Sequence, residues 1–190
     1  MTAARSTPAP PMCSTPLRDL TSFILRIALG GLFMLSGYMK LGLWSFTIGS
    51  VNILPLAPLD FAFSIRAFKF DLSNDLVTFL AFTIPWVELL AGAAVFFGLF
   101  TRGGAALISV LMLGFIAGIA SLLYRGFTDV TCPCFGSLGL FCGTAPIGYC
   151  HIIRNASFFA VAIMIWALGP GFVSLDRLLG GPTCKPSPRA

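Results

Sequence analysis

Four stretches of this 190-residue chain, residues 20–43, 76–100, 105–124 and 152–169, are apolar over nearly their whole length. A helix needs about 20 predominantly apolar residues to cross a bilayer, so each run reads as a membrane span. Charge is sparse within them. Arg26 and Lys40 lie near the two ends of the first run, Glu88 stands alone in the second, and the third has none. Arg154 sits close to the start of the fourth, where a long side chain can snorkel to the interface. Composition agrees: 57% of the chain is hydrophobic and 10% charged, against roughly 45–50% and 25% in soluble domains. These values exclude a water-soluble globule and a disordered chain. The net charge of +5 comes from 12 Lys and Arg scattered singly, with no basic run to follow a nucleic-acid backbone. The expected fold class is therefore all-α, a four-helix membrane bundle spanning residues 20–170 between disordered tails, 1–19 and 171–190.

Orientation follows from the excess of Lys and Arg in cytoplasmic flanks. Arg5, Arg18, Arg102, Arg177, Lys185 and Arg189 fall on one side, with Arg102 in an expected Thr101-Arg102-Gly103-Gly104 turn. Lys40, Arg66, Lys69, Arg125 and Arg154 fall on the other, offset by Asp60, Asp71, Asp75 and Asp129. Both termini are thus expected in the cytoplasm of a cell with an inner membrane. The first 16 residues, rich in Pro, Ser, Thr and Ala, lead into a span too long for a signal-peptide core, which would act as its own insertion signal. Loops 44–75 and 126–151 then lie outside. The first interleaves Trp44, Phe46, Phe61, Phe63, Phe68 and Phe70 with Pro55, Pro58, Arg66 and Lys69. Helical spacing from Phe61 to Phe70 suggests a short amphipathic helix, either lying in the interface or packed as a cap over the bundle.

The second loop carries four of the six cysteines, Cys132, Cys134, Cys142 and Cys150. In an oxidising outer compartment such a cluster favours disulfides. A bridge across the single residue of Cys132-Pro133-Cys134 closes a small ring with unfavourable geometry, and strained bridges are the readily reduced, catalytic ones. Cys150 precedes the fourth span beside His151, where helix N–H groups and Arg154 favour a thiolate, and Cys142 is its expected partner across a Gly- and Pro-containing loop. Such pairs can relay electrons between each other, a partner protein and quinone in the bilayer. Two static staples holding the loop explain the same pattern. Metal is disfavoured, since the spacing lacks C-x2-C knuckles. Cys13 and Cys184, in the tails, receive no role.

Taken in order, Arg26 with Gly30–Leu41 (GGLFMLSGYMKL), Ser64–Phe70 (SIRAFKF), Pro85–Arg102 (PWVELLAGAAVFFGLFTR), Cys132–Gly136 (CPCFG) and Arg154-Asn155 resemble the methylamine utilisation protein MauE family, within the broader DoxX-like group of four-span membrane proteins. The resemblance covers roughly residues 20–170. It implies a role in maturing methylamine dehydrogenase by supporting disulfide formation outside the membrane, with Cys132 and Cys134 as the redox pair and an exported protein or thioredoxin-like partner as substrate. DoxX relatives also imply thiosulfate:quinone chemistry. The chain departs from the family in Pro133, where C-G-C is more usual, and in the added Cys142 and Cys150. The alternative function is an accessory subunit of a larger respiratory or dehydrogenase complex, held by permanent disulfides.

Glu88 falls near mid-membrane, where an unpaired charge is costly. Counting residues from the span ends places Arg26 near its depth, so an Arg26–Glu88 pair is expected, either fixing the packing of two helices or accepting protons in quinone chemistry. Arg26, Glu88, His151 and Arg154 are accordingly the candidate cofactor-binding residues. Pro85 would kink the second span. Gly114 and Gly118, with Gly30, Gly31 and Gly37, are expected to form close-packing faces.

Overall fold

Capping chemistry, more than hydropathy, sets where the spanning helices begin and end. The computed structural model describes residues 16–42, 46–48, 51–53, 58–68, 73–127, 142, 146–169 and 174–178. In chain order these form α1 (Pro16–Lys40), β1 (Phe46–Ile48), β2 (Val51–Ile53), α2 (Pro58–Ala67), α3 (Asn74–Phe97), α4 (Thr101–Tyr124), α5 (Tyr149–Leu168) and α6 (Leu175–Leu178). Helices α1, α3, α4 and α5 are long and apolar enough to cross a membrane. The all-helical architecture is as expected, with one small addition. Strands β1 and β2 pair antiparallel, Phe46 opposite Ile53, in a hairpin that the sequence reading did not include.

Helix α3 starts where the Ser73 hydroxyl accepts from the Leu76 N–H, and stops at Gly98, whose φ of 72° suits glycine. Helix α4 begins at Thr101, so residues 101–104, expected as a turn, are its first helical turn. The reason lies far along the chain. The Asp176 carboxylate accepts from the Phe100 N–H at 2.9 Å, the Thr101 N–H at 3.1 Å and the Thr101 hydroxyl at 3.2 Å. It thereby caps a helix whose own sequence supplies no side-chain cap. The true interhelix link is residues 98–100, with Phe100 held at a φ of 49°.

The bundle is a ring in which α1 packs on α3, α3 on α4, α4 on α5 and α5 on α1. Its centre holds Leu29, Phe33, Val95, Ile108, Met112, Phe158 and Ile165. Helices α1 and α3 touch backbone to backbone. A Cβ on Gly37 would fall 2.7 Å from Pro85 O and Leu89 N, and one on Gly92 2.6 Å from Met34 N, the close approach that small residues permit between membrane helices. Helix α3 continues through Pro85 without a break. The glycines of α4 behave differently from expectation. A Cβ on Gly114 would meet nothing within 4 Å, and Gly118 faces the Phe68 ring beyond the end of α2. That pair admits an aromatic side chain, not a neighbouring span.

The outer surface is apolar: Leu90, Val110 and Ile153 are each about two-thirds exposed, as a lipid-facing surface requires. Helix α2 packs on α3 and buries Phe61 while leaving Phe63 and Arg66 exposed, so its apolar side closes onto the bundle. At the opposite end, polar side chains of α1 tie down the last turn of α5. Arg18 donates to Leu168 O at 3.3 Å and the Ser22 hydroxyl to Gly169 O at 2.8 Å.

Candidate functional site

Among the described residues, most of the buried polar groups gather in three places. The first lies between α1 and α3. Both Glu88 oxygens accept from Lys40 Nζ at 2.7 Å, and the Ser36 hydroxyl donates to Glu88 Oε2 at 3.2 Å. The Lys40 ammonium also sits 5.1 Å from the Phe61 ring and 5.4 Å from the Phe115 ring, within cation–π range. Glu88 and Lys40 are both buried. The expected Arg26–Glu88 pair is therefore replaced by Lys40–Glu88. Counting from span ends assumed that the ends are level, whereas the contacts of Gly37 with Pro85 and Leu89 set the register. That register puts Ser36 beside Glu88 and Lys40 one turn further on, with Arg26 roughly 21 Å from Lys40 along the helix.

Arg26 marks the second place, at the far end of the bundle. Its Nε donates to Val95 O at 3.0 Å and its guanidinium lies against Gly98, where a Cβ would collide with it. Asp176 is close enough for its charge to act on Arg26. This arginine holds the end of α3, at the opposite end of the bundle from the Cys142–Cys150 disulfide.

The third place is the start of α5. Cys142 and Cys150 form a disulfide with Cα atoms 6.0 Å apart, the pairing expected from the loop. Cys150 is the second residue of α5, after Gly148 and Tyr149. His151 is buried and serves the helix end: its Nδ1 accepts from the Gly148 N–H at 3.4 Å while its own N–H donates to Gly148 O at 3.0 Å. Arg154 and Asn155 are also buried, one turn further along. Asn155 Nδ2 has no hydrogen-bond partner among the described residues. The Phe33–Phe158 ring contact puts these α5 residues at about the depth of Ser36 and Lys40 in α1. The first and third places thus lie at a similar depth, near the Cys142–Cys150 disulfide at the start of α5. Cys132 and Cys134 lie outside the described residues, as do Cys13 and Cys184.

Beside the disulfide is a cavity of about 630 Å³ lined by Cys142 and, along α5, by Cys150, Ile153, Arg154, Ser157 and Val161. Among the described residues, Arg154 is the one charged residue in this wall. Of the four candidate cofactor residues, only Arg154 reaches the cavity; Glu88 and Arg26 face other elements and His151 caps the helix. Sequence reasoning missed Lys40 as the partner of Glu88, although a cation inside an apolar run needs a counter-charge as much as an anion does.

The family model of methylamine utilisation protein MauE matches residues 18–168. The chain belongs to the MauE family. This match covers α1 through α5, so the four spans, the paired cysteines and the Lys40–Glu88 bridge all lie inside the family region. No curated protein and no solved structure matches the chain significantly. Membership makes the chain a multi-pass membrane protein associated with methylamine utilisation.

Proposed function

We propose that this MauE-family protein is a membrane thiol-disulfide redox factor that supports disulfide formation in an exported protein used in methylamine utilisation. The observation that carries the reading is the Cys142–Cys150 disulfide, which joins the cysteine loop to the first turn of α5. An isolated staple has no need of that position. There the helix N-terminus favours a thiolate at Cys150, which makes Cys150 the better leaving sulfur in exchange.

The route has two steps. A substrate dithiol reduces the Cys132–Cys134 disulfide: the substrate gains an S–S bond, and Cys132 and Cys134 take up its two electrons and two protons. The resulting dithiol then attacks Cys142, displaces Cys150 as thiolate, and closes again to a disulfide, leaving Cys142 and Cys150 reduced. The loop faces the exoplasm of the inner membrane and both termini face the cytoplasm. With Lys40 and Arg154 buried, the outer flanks count Arg66, Lys69 and Arg125 as loop cations, against Arg5, Arg18, Arg102, Arg177, Lys185 and Arg189 in the flanks assigned to the terminal side, and this excess supports the orientation.

Purified protein in proteoliposomes, mixed with a reduced dithiol peptide and no other oxidant, tests the scheme by stoichiometry. Wild type oxidises two peptide dithiols per chain, the Cys142→Ser/Cys150→Ser variant one, and the Cys132→Ser/Cys134→Ser variant none. An accessory subunit with permanent bridges oxidises none in every case, and that result refutes the proposal.

A further inference from the structure

The reduced Cys142/Cys150 pair needs an oxidant before it can act again. From the cavity beside it we infer that this oxidant is a membrane quinone bound against α5. The inference rests on the redox reading above.

Three observations define the occupant. The first is depth. The cavity starts at the disulfide and follows α5 to Val161, about three helical turns or roughly 16 Å. An occupant therefore touches the sulfurs and reaches well down a spanning helix, so it must be soluble in hydrocarbon. The second is size and lining. A volume of about 630 Å³ falls within the range of about 300–1,000 Å³ typical of small-molecule sites. Ile153 and Val161 give it the apolar wall that a ring and isoprenoid tail require, and Ile153 is 66% exposed, which leaves a lateral way in from the bilayer.

The third is the charge. Arg154 lies one turn below Cys150 and is only 7% exposed, yet it lines the cavity. A guanidinium donates to a carbonyl oxygen and favours the electron density that this oxygen gains on reduction. A neutral molecule with an apolar body and carbonyl acceptors, able to take two electrons and two protons, is a quinone.

The chemistry balances. The two S–H bonds of Cys142 and Cys150 break and their S–S bond forms. The two electrons and two protons go to the quinone, whose two C=O groups become C–OH. Cys142–Cys150 is thereby restored for the next exchange.

The test uses the full chain in nanodiscs and a decyl benzoquinone carrying a photoreactive azide, with peptide mapping of the labelled site. Label is expected on the α5 segment 153–161, and to be displaced by unmodified decyl benzoquinone. Ser157→Phe, which fills the cavity from an exposed position, should lower labelling about tenfold, the weight of about 1.4 kcal/mol of binding, whereas Ala160→Phe, at an exposed α5 position outside the lining, should label like wild type. Arg154→Gln should slow quinone-driven re-formation of the Cys142–Cys150 bond, with Arg154→Lys restoring part of the rate. Label elsewhere, label indifferent to Ser157→Phe, or displacement by anionic phospholipid in place of quinone overturns the inference. If peptide oxidation in the absence of acceptor still follows the expected stoichiometry, the redox reading stands and only the quinone site falls.

Discussion

Consider replacing Lys40 by Met while leaving Glu88 in place. The carboxylate then loses two contacts of 2.7 Å and keeps, among the described residues, the Ser36 hydroxyl at 3.2 Å, at a site that is 1% exposed. Breaking one side of a buried pair costs about 3–5 kcal/mol, because the remaining charge is uncompensated. Lys40→Met should therefore lose about 4 kcal/mol. Glu88→Leu should lose about as much, since it strands the ammonium and the Phe61 and Phe115 rings already contact it in the wild type. The double variant Lys40→Met/Glu88→Leu removes both charges and should lie within about 1–2 kcal/mol of wild type, as replaced buried pairs commonly do. Reversible unfolding in mixed micelles, read as a double-mutant cycle, measures all three. Additive losses, or single losses below about 1 kcal/mol, would refute the assignment of this bridge as the counter-charge that makes Glu88 tolerable in the membrane.

Other consequences concern packing and caps. Gly37→Ala places a Cβ 2.7 Å from the α3 backbone and should cost about 1–3 kcal/mol by forcing the helices apart. Gly114→Ala meets nothing within 4 Å and should be neutral or gain up to about 1 kcal/mol from helix propensity; unfolding of both variants in the same micelles decides this. Asp176→Ala should destabilise the bundle by about 1–2 kcal/mol through loss of the α4 cap, with faster amide exchange confined to Phe100 and Thr101. Exchange unchanged at those two amides would show that Asp176 is dispensable.

Hydropathy made the four spans and their order legible, because lipid demands an apolar run and little else in the chain can supply one. It placed the start of α4 four residues late, at Ala105 in place of Thr101, since the group that starts that helix is Asp176, 75 residues away, and no local pattern announces a cap from such a distance. Depth was the weakest inference. The glycine contacts that fix the α1–α3 register are tertiary facts, and without them Arg26 and Lys40 are equally good partners for Glu88. Gly114 and Gly118 have the spacing of a packing motif, but the span that would fill it is absent from that side. The Cys142–Cys150 bond was readable from loop length and compartment. The cavity beside it was not, because its described wall is Cys142 and one face of α5, whose residues look in sequence like ordinary lipid-facing positions.

The cap at Thr101 also bears on the order in which this protein can be completed. During synthesis α4 must enter the membrane with the Phe100 and Thr101 N–H groups still lacking their acceptor, since Asp176 has yet to be made. The last turn of α5, which Arg18 and Ser22 hold from the first span, arrives almost as late. One end of the bundle therefore stays open until residue 176 has been made, and its closure joins α1 and α4 to the segment at and beyond the end of α5. A chain cut short before residue 176 would keep all four spans yet leave the start of α4 unlatched.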